Sequence, residues 1–254
     1  MRRVKIILAY DGTGFHGWQV QPGLPTIQGA LEAVASEIEG RPVKVEGSGR
    51  TDAGVHALAQ VAAFSIGNPI PLANLKKAMN RLLPGAIRVL SASEAAADFH
   101  PRFQARSKSY EYRICRGEVC PPFERLYSYH YPYPLQVNRM VEVAPLFEGE
   151  HDFSAFAASD DRDELGISKV RTIFLSRVST EADRLTFRVQ GSGFLKHMVR
   201  NLAGTLIEAG KGNLGAAEIK AFLDPPAAGK AGPSLPPHGL FLVSVEYERE
   251  PEAR

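Results

Sequence analysis

The 254-residue sequence is poor in cysteine and tryptophan, with two of the former and one of the latter. Two cysteines cannot form a disulfide framework, and Cys115 and Cys120 lack the company of a zinc site. No apolar run is long enough to span a bilayer, and the run in MRRVKIILAYDG ends too early for a signal peptide. We therefore expect a cytoplasmic protein with no membrane association and no bound metal.

An excess of one charge sign is also missing, since 30 basic and 28 acidic residues leave a formal net charge of +2. A phosphate-binding surface must then come from local clustering. The basic segment, residues 99–116, combines basic and aromatic side chains with a single acid, Glu111: Phe99, Arg102, Phe103, Arg106, Lys108, Tyr110, Tyr112, Arg113 and Arg116. Such a mixture is typical of single-stranded RNA binding, although a strand with a solvated basic face shows the same pattern.

Complete nucleotide-binding fingerprints are absent as well. DGTGFHG at 11–17 contains G-x-G-x-x-G after a strand, but residues 18–25, with Pro22 and Gly23, separate it from the next helix. We expect a turn with a close backbone approach there. No Walker A motif, serine elbow or zinc-deaminase signature occurs, and the sequence indicates no cofactor.

The predicted elements follow the order β-α-β-β-α-β in the first hundred residues, which is the ferredoxin-like arrangement. Strands are expected at 4–10, 43–46, 58–64 and 87–90, with one helix from Thr26 to Gly40 and another after Pro71. The remainder repeats the order loosely, with strands at 107–115, 126–131, 170–178, 185–190 and 240–247, and helices at 135–145, 195–210 and 216–223. Four alternating tyrosines are expected on one strand face: Tyr127, Tyr129, Tyr131 and Tyr133.

These elements predict an α+β fold of two ferredoxin-like domains side by side, with a catalytic cleft between their sheets. The expected domains are residues 1–98 and 99–254.

The most pliable stretch, VEGSGRTDAGVHALAQVAAF at 45–64, carries Arg50, Asp52 and His56. Glycines on both sides of Asp52 let a ligand come close to the backbone. An aspartate in such a turn often only caps its own backbone. Alternatively, Asp52 is an ionised carboxylate whose charged form is favoured by the nearby Arg50. An ionised carboxylate suits a nucleophile or base and not a general acid. His56 is either a second titrating group or a packed side chain.

The same stretch resembles the tRNA pseudouridine synthase A family, whose motif around the catalytic aspartate reads G-R-T-D-x-G-V-H-A. Further blocks are similar in the same order: YDGTGFHGWQ, FHPRFQARSKSYEYRI, GSGFLKHMVRNLAGTL and PPHGLFLVSVEY. The resemblance covers nearly the whole chain. Ser109 and Glu111 differ from the basic residues expected beside Tyr110.

The resemblance implies a cofactor-free isomerisation of uridine in the anticodon arm of tRNA, at positions 38, 39 and 40, by a homodimer. It implies that Asp52 is the nucleophile, attacking either the sugar or the base ring. Tyr110 would lie against the target base, either as a stacking platform or also as the acceptor of the C5 proton. Arg200 would pair with the aspartate, Leu240 would contact the base, and Arg50 would help to flip the nucleotide.

Two other functions remain open from the residues. A non-catalytic RNA-binding protein has no need for a carboxylate at the RNA surface, so Asp52 counts against it. A nucleotide-binding metabolic enzyme is disfavoured by the incomplete phosphate-binding motifs.

Overall fold

The computed structural model describes residues 1–159, 168–224 and 231–248. Within these residues the chain forms ten strands and five α-helices in a mixed α/β fold. The described residues divide into two compact units, one drawn from Met1–Arg106 and 241–248 and the other from Ser107–Leu240. The chain thus leaves the first unit after Arg106 and returns to it after Leu240.

The first unit is built on a sheet and two helices: β1 (Arg2–Tyr10), α1 (Ile27–Glu39), β2 (Glu46–Gly47), β3 (His56–Ile66), α2 (Leu72–Leu82) and β4 (Ile87–Ala95). The strand order is β4-β1-β3-β2, and all neighbours are antiparallel. Alternate residues of β1 are buried, and the two helices bury part of their apolar residues, among them Leu31 of α1 and Leu75 and Met79 of α2. Thr26 caps α1 by accepting a hydrogen bond from the Gly29 N–H, and Gly40 ends it with a φ of 78°, which confirms both predicted ends.

The second unit also combines a sheet with helices: β5 (Ser107–Cys115), β6 (Tyr129–His130), α3 (Val137–Val143), β7 (Gly149–Asp152), β8 (Val170–Glu181), β9 (Arg184–Gly191), α4 (Met198–Lys211) and α5 (Ala216–Leu223). The strand order is β6-β5-β9-β8-β7. Only β6 runs parallel to its neighbour among these strands. The core of the second unit holds several fully buried phenylalanines and most of the apolar residues of α4.

The last strand, β10 (Leu240–Glu246), brings the chain back to the first unit. It pairs in parallel with β3 through Phe241 opposite His56 and Leu242 opposite Ala57. Its end is held because the Arg106 N–H donates to the Glu246 carbonyl at 2.8 Å. The Tyr247 hydroxyl donates to the Pro101 carbonyl at 2.7 Å.

Two predicted elements of the second unit were wrong in extent. The strand expected at 126–131 is reduced to two residues, because Pro132 has no N–H to continue the ladder and turns precede it. The four alternating tyrosines therefore do not share a strand face. Three of them form a line of ring contacts instead, at 6.0 Å between Tyr129 and Tyr131 and 5.3 Å between Tyr131 and Tyr133.

The helix α4 is shifted toward the C-terminus relative to the prediction. It cannot begin at 195 because His197 has a φ of 61°, outside the helical range. It continues through Gly210 and ends before Gly212, whose φ is 85°. Gly210 serves a close approach to α3, since a Cβ there would lie 2.9 Å from the Met140 sulfur. The strand β7 was not predicted, because its sequence GEHD lacks strand-forming residues.

Among the described residues, every helix is too short or too polar to cross a lipid bilayer.

Candidate functional site

Asp52 lies in the loop that joins β2 to β3, and its side chain is half-buried. The loop turns sharply at this point, because the Val55 N–H donates to the Asp52 carbonyl at 3.1 Å. Gly54 follows with a φ of 77°, a conformation that residues with a Cβ rarely adopt. Gly54, two residues after the aspartate, is therefore required by the backbone of the turn.

A second loop, residues 11–18, supports the Asp52 loop through its backbone. The Trp18 N–H donates to the Thr51 carbonyl at 3.0 Å. A Cβ at Gly12 would lie 2.0 Å from the Val55 carbonyl oxygen. At Gly17, where φ is +86°, it would lie 2.6 Å from the Thr51 carbonyl oxygen. Gly12 and Gly17, the first and last glycines of G-x-G-x-x-G, thus allow the two loops to touch, which confirms the predicted turn with a close backbone approach.

Trp18 fills the space behind both loops. The side chain is 2% exposed, and its indole covers Gly47, where a Cβ would lie 2.5 Å from the ring. The Tyr10 ring centroid is 6.3 Å from that of Trp18. Gly47 is consequently a position at which only a residue without a side chain fits.

Beneath the Asp52 loop lies a group of buried polar side chains, which we call the Gln60 network: Tyr10, Ser48, Thr51 and Gln60. The Tyr10 and Thr51 hydroxyls share a hydrogen bond of 2.8 Å. The Gln60 amide donates to the Gly49 carbonyl at 3.1 Å and to the Tyr10 hydroxyl at 3.5 Å. The Ser48 hydroxyl donates to the Gln60 carbonyl oxygen. The network thus joins the loop on both sides of Arg50 to the sheet.

His56 proves to be a packed side chain. It is 1% exposed, and its ring stacks on that of Phe241 with centroids 4.7 Å apart and planes at 23°. Its Nδ1 accepts a hydrogen bond from the Gly12 N–H at 3.1 Å and lies 3.2 Å from an Asp11 oxygen. His56 therefore ties the start of β3 to β10 and to the 11–18 loop.

Arg50 lies at the surface of the Asp52 loop. Its side chain is exposed, and its Nε donates to the Gln19 side-chain oxygen at 3.0 Å. This contact directs the guanidinium along the surface and leaves it within reach of an approaching phosphate.

In the second unit, Tyr110 lies on β5 opposite Val189 and is buried. The Phe194 ring meets it edge-on, with centroids 5.1 Å apart and planes at 80°. Tyr112 is also buried, whereas Glu111 between them is half-buried and ion-paired to Arg113 at 3.4 Å and Arg188 at 3.5 Å. Burial therefore alternates along β5 from Tyr110 to Ile114.

The basic segment carries less available charge than its composition suggests. Arg113 is ion-paired to Glu111, and Arg106 is ion-paired to Glu248. Arg102 is exposed beside Phe103, with its guanidinium 5.7 Å from the centroid of that exposed ring. This exposed cation and ring form the part of the segment best placed to meet a nucleic acid.

Arg200 and Tyr112 together hold the chain that leads to Leu240. The Arg200 Nε donates to the Leu235 carbonyl at 2.6 Å, and the Tyr112 hydroxyl donates to the Pro236 carbonyl at 2.7 Å. A Cβ at Gly239 would lie 2.9 Å from the Tyr112 ring. Burial raises the pKa of Tyr112 and the charge of Arg200 opposes this, so the hydroxyl remains a donor at neutral pH. Leu240 itself is buried.

Sequence reasoning missed the residues that hold these side chains, above all Gln60 and Tyr112. Gln60 is a fully buried amide inside the apolar run LAQVAAF, and one polar residue in a predicted core strand is the signal that could have found it. The hydrogen bond from Tyr112 to Pro236 joins residues 124 positions apart, so no local pattern predicts it.

In the parts of the chain that the structure describes, no group of three or more histidine, cysteine, aspartate or glutamate residues is placed to hold a metal ion.

Comparison with known proteins gives a consistent result. A family model described as tRNA pseudouridine synthase matches residues 6–104 and 143–248. A protein from Solibacter usitatus named tRNA pseudouridine synthase A is 64% identical over 247 residues, covering 97% of this chain and all of that protein. Proteins of the same name from Geotalea uraniireducens and Myxococcus xanthus are 44% and 42% identical, over 97% and 100% of this chain and 100% and 95% of their own.

Proposed function

The chain belongs to the tRNA pseudouridine synthase family and isomerises uridine to pseudouridine in tRNA, and from this premise we propose that Asp52 is its nucleophile. A single observation carries the proposal. A half-buried carboxylate lies in a glycine-rich loop whose shape is fixed from below by buried hydrogen bonds. A loop that only connected two strands would have no need of such support.

The atoms of the reaction balance without a second reactant. The bond between C1′ and N1 of uridine breaks, a bond between C1′ and C5 forms, C5 loses a proton and N1 gains one. Because substrate and product are isomers, the step requires neither an oxidant nor a group donor. A carboxylate nucleophile at C1′ or at the base ring, with proton transfer from C5, is sufficient.

The target nucleotide must leave its stack before a side chain can reach the glycosidic bond, which costs a few kcal/mol. We propose that Arg50, exposed at the loop surface, contacts the phosphates of the flipped nucleotide. Tyr110 is proposed to lie against the uracil and Leu240 to give it an apolar contact. Arg200, which already orders the 235–240 segment, is proposed to pair with the Asp52 carboxylate.

The anticodon arm is the proposed target, at tRNA positions 38, 39 and 40, and the proposed active form is a homodimer in the cytoplasm. The family blocks found in order along the chain support this assignment. We further propose that both units are ferredoxin-like. In support, the first unit has the strand order β4-β1-β3-β2, and in the second β5 is followed in turn by α3, the β8–β9 pair and α4.

The proposal is tested by incubating the protein with an unmodified tRNA transcript that carries uridine at positions 38, 39 and 40, and mapping pseudouridine. The matched control is the same transcript with cytidine at those positions. We expect pseudouridine only at the three uridines. Binding without conversion would instead identify a non-catalytic RNA-binding protein, and conversion elsewhere in the tRNA would overturn the anticodon-arm assignment.

A further inference from the structure

The Gln60 network has no part in the chemistry described above, yet it adjoins the nucleophile. Thr51 precedes Asp52 directly, and Gly49 is three residues before it. Gln60 is 0%, Ser48 0%, Tyr10 4% and Thr51 7% exposed. Four polar side chains are therefore withdrawn from water immediately beneath the loop that presents the carboxylate.

Every hydrogen-bonding position of the Gln60 amide is used. Its nitrogen donates to the Gly49 carbonyl and to the Tyr10 hydroxyl. Its oxygen accepts from the Ser48 hydroxyl and from the Val61 N–H at 3.1 Å. A primary amide offers two donors and two acceptor sites, so this side chain is fully satisfied. A side chain in this condition has one orientation, and so do the groups bound to it.

An apolar residue could pack at position 60 without any of these hydrogen bonds. On the same strand, the alternate residues Ala62 and Phe64 are completely buried and apolar. Burying a polar group costs free energy unless every bond is made, so a glutamine here serves its partners rather than the core. Two of its four partners, Gly49 and Ser48, belong to the loop, and another, Tyr10, reaches Thr51.

Tyr10 keeps its proton throughout the range in which enzymes work. Burial raises its pKa to about 12, against the opposing effects of the hydrogen bonds with Thr51 and Gln60. At neutral pH its protonated hydroxyl therefore accepts from Gln60 and shares a hydrogen bond with Thr51 in which either hydroxyl can donate.

We propose that Tyr10 and Gln60 are positioning residues for Asp52, acting through Thr51 and Gly49 to fix the loop backbone on which the carboxylate is carried. The inference rests on the proposed role of Asp52 as the nucleophile. The network acts through the loop backbone and not through contact with the uridine. It determines where the carboxylate meets the reacting atom, and small misplacements of a reacting group cost about 10- to 100-fold in rate.

The test is a double-mutant cycle on the hydroxyl pair. Tyr10→Phe, Thr51→Val and the double variant are compared with the parent in single-turnover conversion of tRNA at saturating enzyme, alongside the tRNA dissociation constant. We expect each single variant to lose about 10- to 100-fold in the single-turnover rate. Affinity for tRNA should be unchanged, and the double variant should be no slower than the slower single one. Thr51→Ser, which keeps the hydroxyl, should retain the parental rate.

Ser176→Ala is the matched control, because it removes another fully buried hydroxyl that donates to a backbone carbonyl, that of Ala144 at 2.7 Å. It should lower the thermal midpoint to an extent comparable with Tyr10→Phe and leave the rate parental. The inference is overturned if Tyr10→Phe and Thr51→Val keep the parental rate, or if their losses multiply in the double variant. It is also overturned if Thr51→Ser is as slow as Thr51→Val.

These outcomes remain separate from those of the proposed function. If the parent makes no pseudouridine, or if Asp52→Asn is as active as the parent, the proposed function fails. If the parent is active, Asp52→Asn is inactive and the Tyr10 and Thr51 variants are parental, only the positioning role fails.

Discussion

The side chains proposed to take part in the reaction differ in how tightly they are packed. Tyr110 is buried, with the Phe194 ring against its edge, so its ring plane is set by packing. Arg50 is exposed and contacts Gln19, so it can adjust to a ligand. A rigid ring suits the recognition of a base, and an adjustable cation suits a phosphate whose position varies among tRNAs.

Tyr110→Phe distinguishes stacking from proton transfer. The change keeps the ring and removes the hydroxyl, so tRNA affinity should be parental, including a stacking contribution of roughly 1–3 kcal/mol per base. If the hydroxyl accepts the C5 proton, directly or through a water, the variant makes little pseudouridine and releases label slowly from C5-tritiated tRNA. A neutral phenol is a poor base, so a basic neighbour such as Arg200 would have to assist it.

Tyr131→Phe is the control, because it alters another buried tyrosine of the same unit. It should leave label release unchanged. Near-parental release from Tyr110→Phe would reduce Tyr110 to a stacking platform.

Single residues also show what sequence can and cannot predict. Asp52 could be singled out because the glycines around it mark a turn open to a ligand. Its supporting residues could not, because Tyr10 lies 41 positions from its partner Thr51 and Gln60 lies 11 positions from its partner Gly49. Such bonds depend on how the β1–β3 register brings the two strands together, and only the folded sheet reveals that.

Among the elements of the first unit, the Asp52 loop and the 11–18 loop are joined by backbone contacts, including the hydrogen bond from Trp18 to Thr51. Their glycines are not equivalent, however. Gly12 faces the Val55 carbonyl at a distance that excludes a Cβ, whereas nothing lies within 4 Å of a Cβ built at Gly14. The same loop therefore contains a glycine required by packing and one that is not.

Gly12→Ala should separate the two loops and displace the Asp52 turn. We expect at least a tenfold loss of the rate of pseudouridine formation and a lower thermal midpoint, since about 1 Å of misplacement has this effect on reacting groups. Gly14→Ala, the matched control, should keep both parental values. A parental rate for Gly12→Ala would contradict the account of a braced loop.

Elements with a strong local signal were predicted well, and elements set by tertiary contact were not. The Thr26 cap and the left-handed Gly40 define α1 from within its own sequence. The polar strand β7 exists because it pairs with β8, and α4 begins where His197 takes a left-handed conformation. Neither fact is encoded in hydrophobic periodicity.

Because the net charge of the whole molecule is close to zero, its attraction for tRNA depends on where the basic residues lie. Ion pairs with Glu111 and Glu248 engage Arg113 and Arg106, whereas Arg102 is exposed, and we expect Arg102 to contribute to tRNA binding. Binding to tRNA phosphates releases counterions and is weakened by salt.

The salt dependence of tRNA binding tests which basic residues contact the phosphates. We expect the logarithm of the association constant to fall linearly and steeply with the logarithm of salt concentration. Arg102→Gln should weaken binding and reduce the magnitude of the slope by about 1, as expected for a phosphate contact. Arg113→Gln, which removes a cation already paired with Glu111, should change the slope little. An affinity that is nearly flat across salt would remove the argument for an electrostatic surface.

Pseudouridine formation by Asp52→Asn tests most directly whether Asp52 is the nucleophile. The substitution keeps the size of the side chain and removes the nucleophile, and the loss of a negative charge should not weaken attraction to phosphate. Asp98→Asn, at an exposed aspartate of the same unit, is the control. We expect parental tRNA binding by both variants, parental conversion by Asp98→Asn and no detectable conversion by Asp52→Asn. Turnover by Asp52→Asn within about tenfold of the parent, which corresponds to only about 1.4 kcal/mol of barrier, would contradict this expectation and leave Asp52 as a structural residue of its loop.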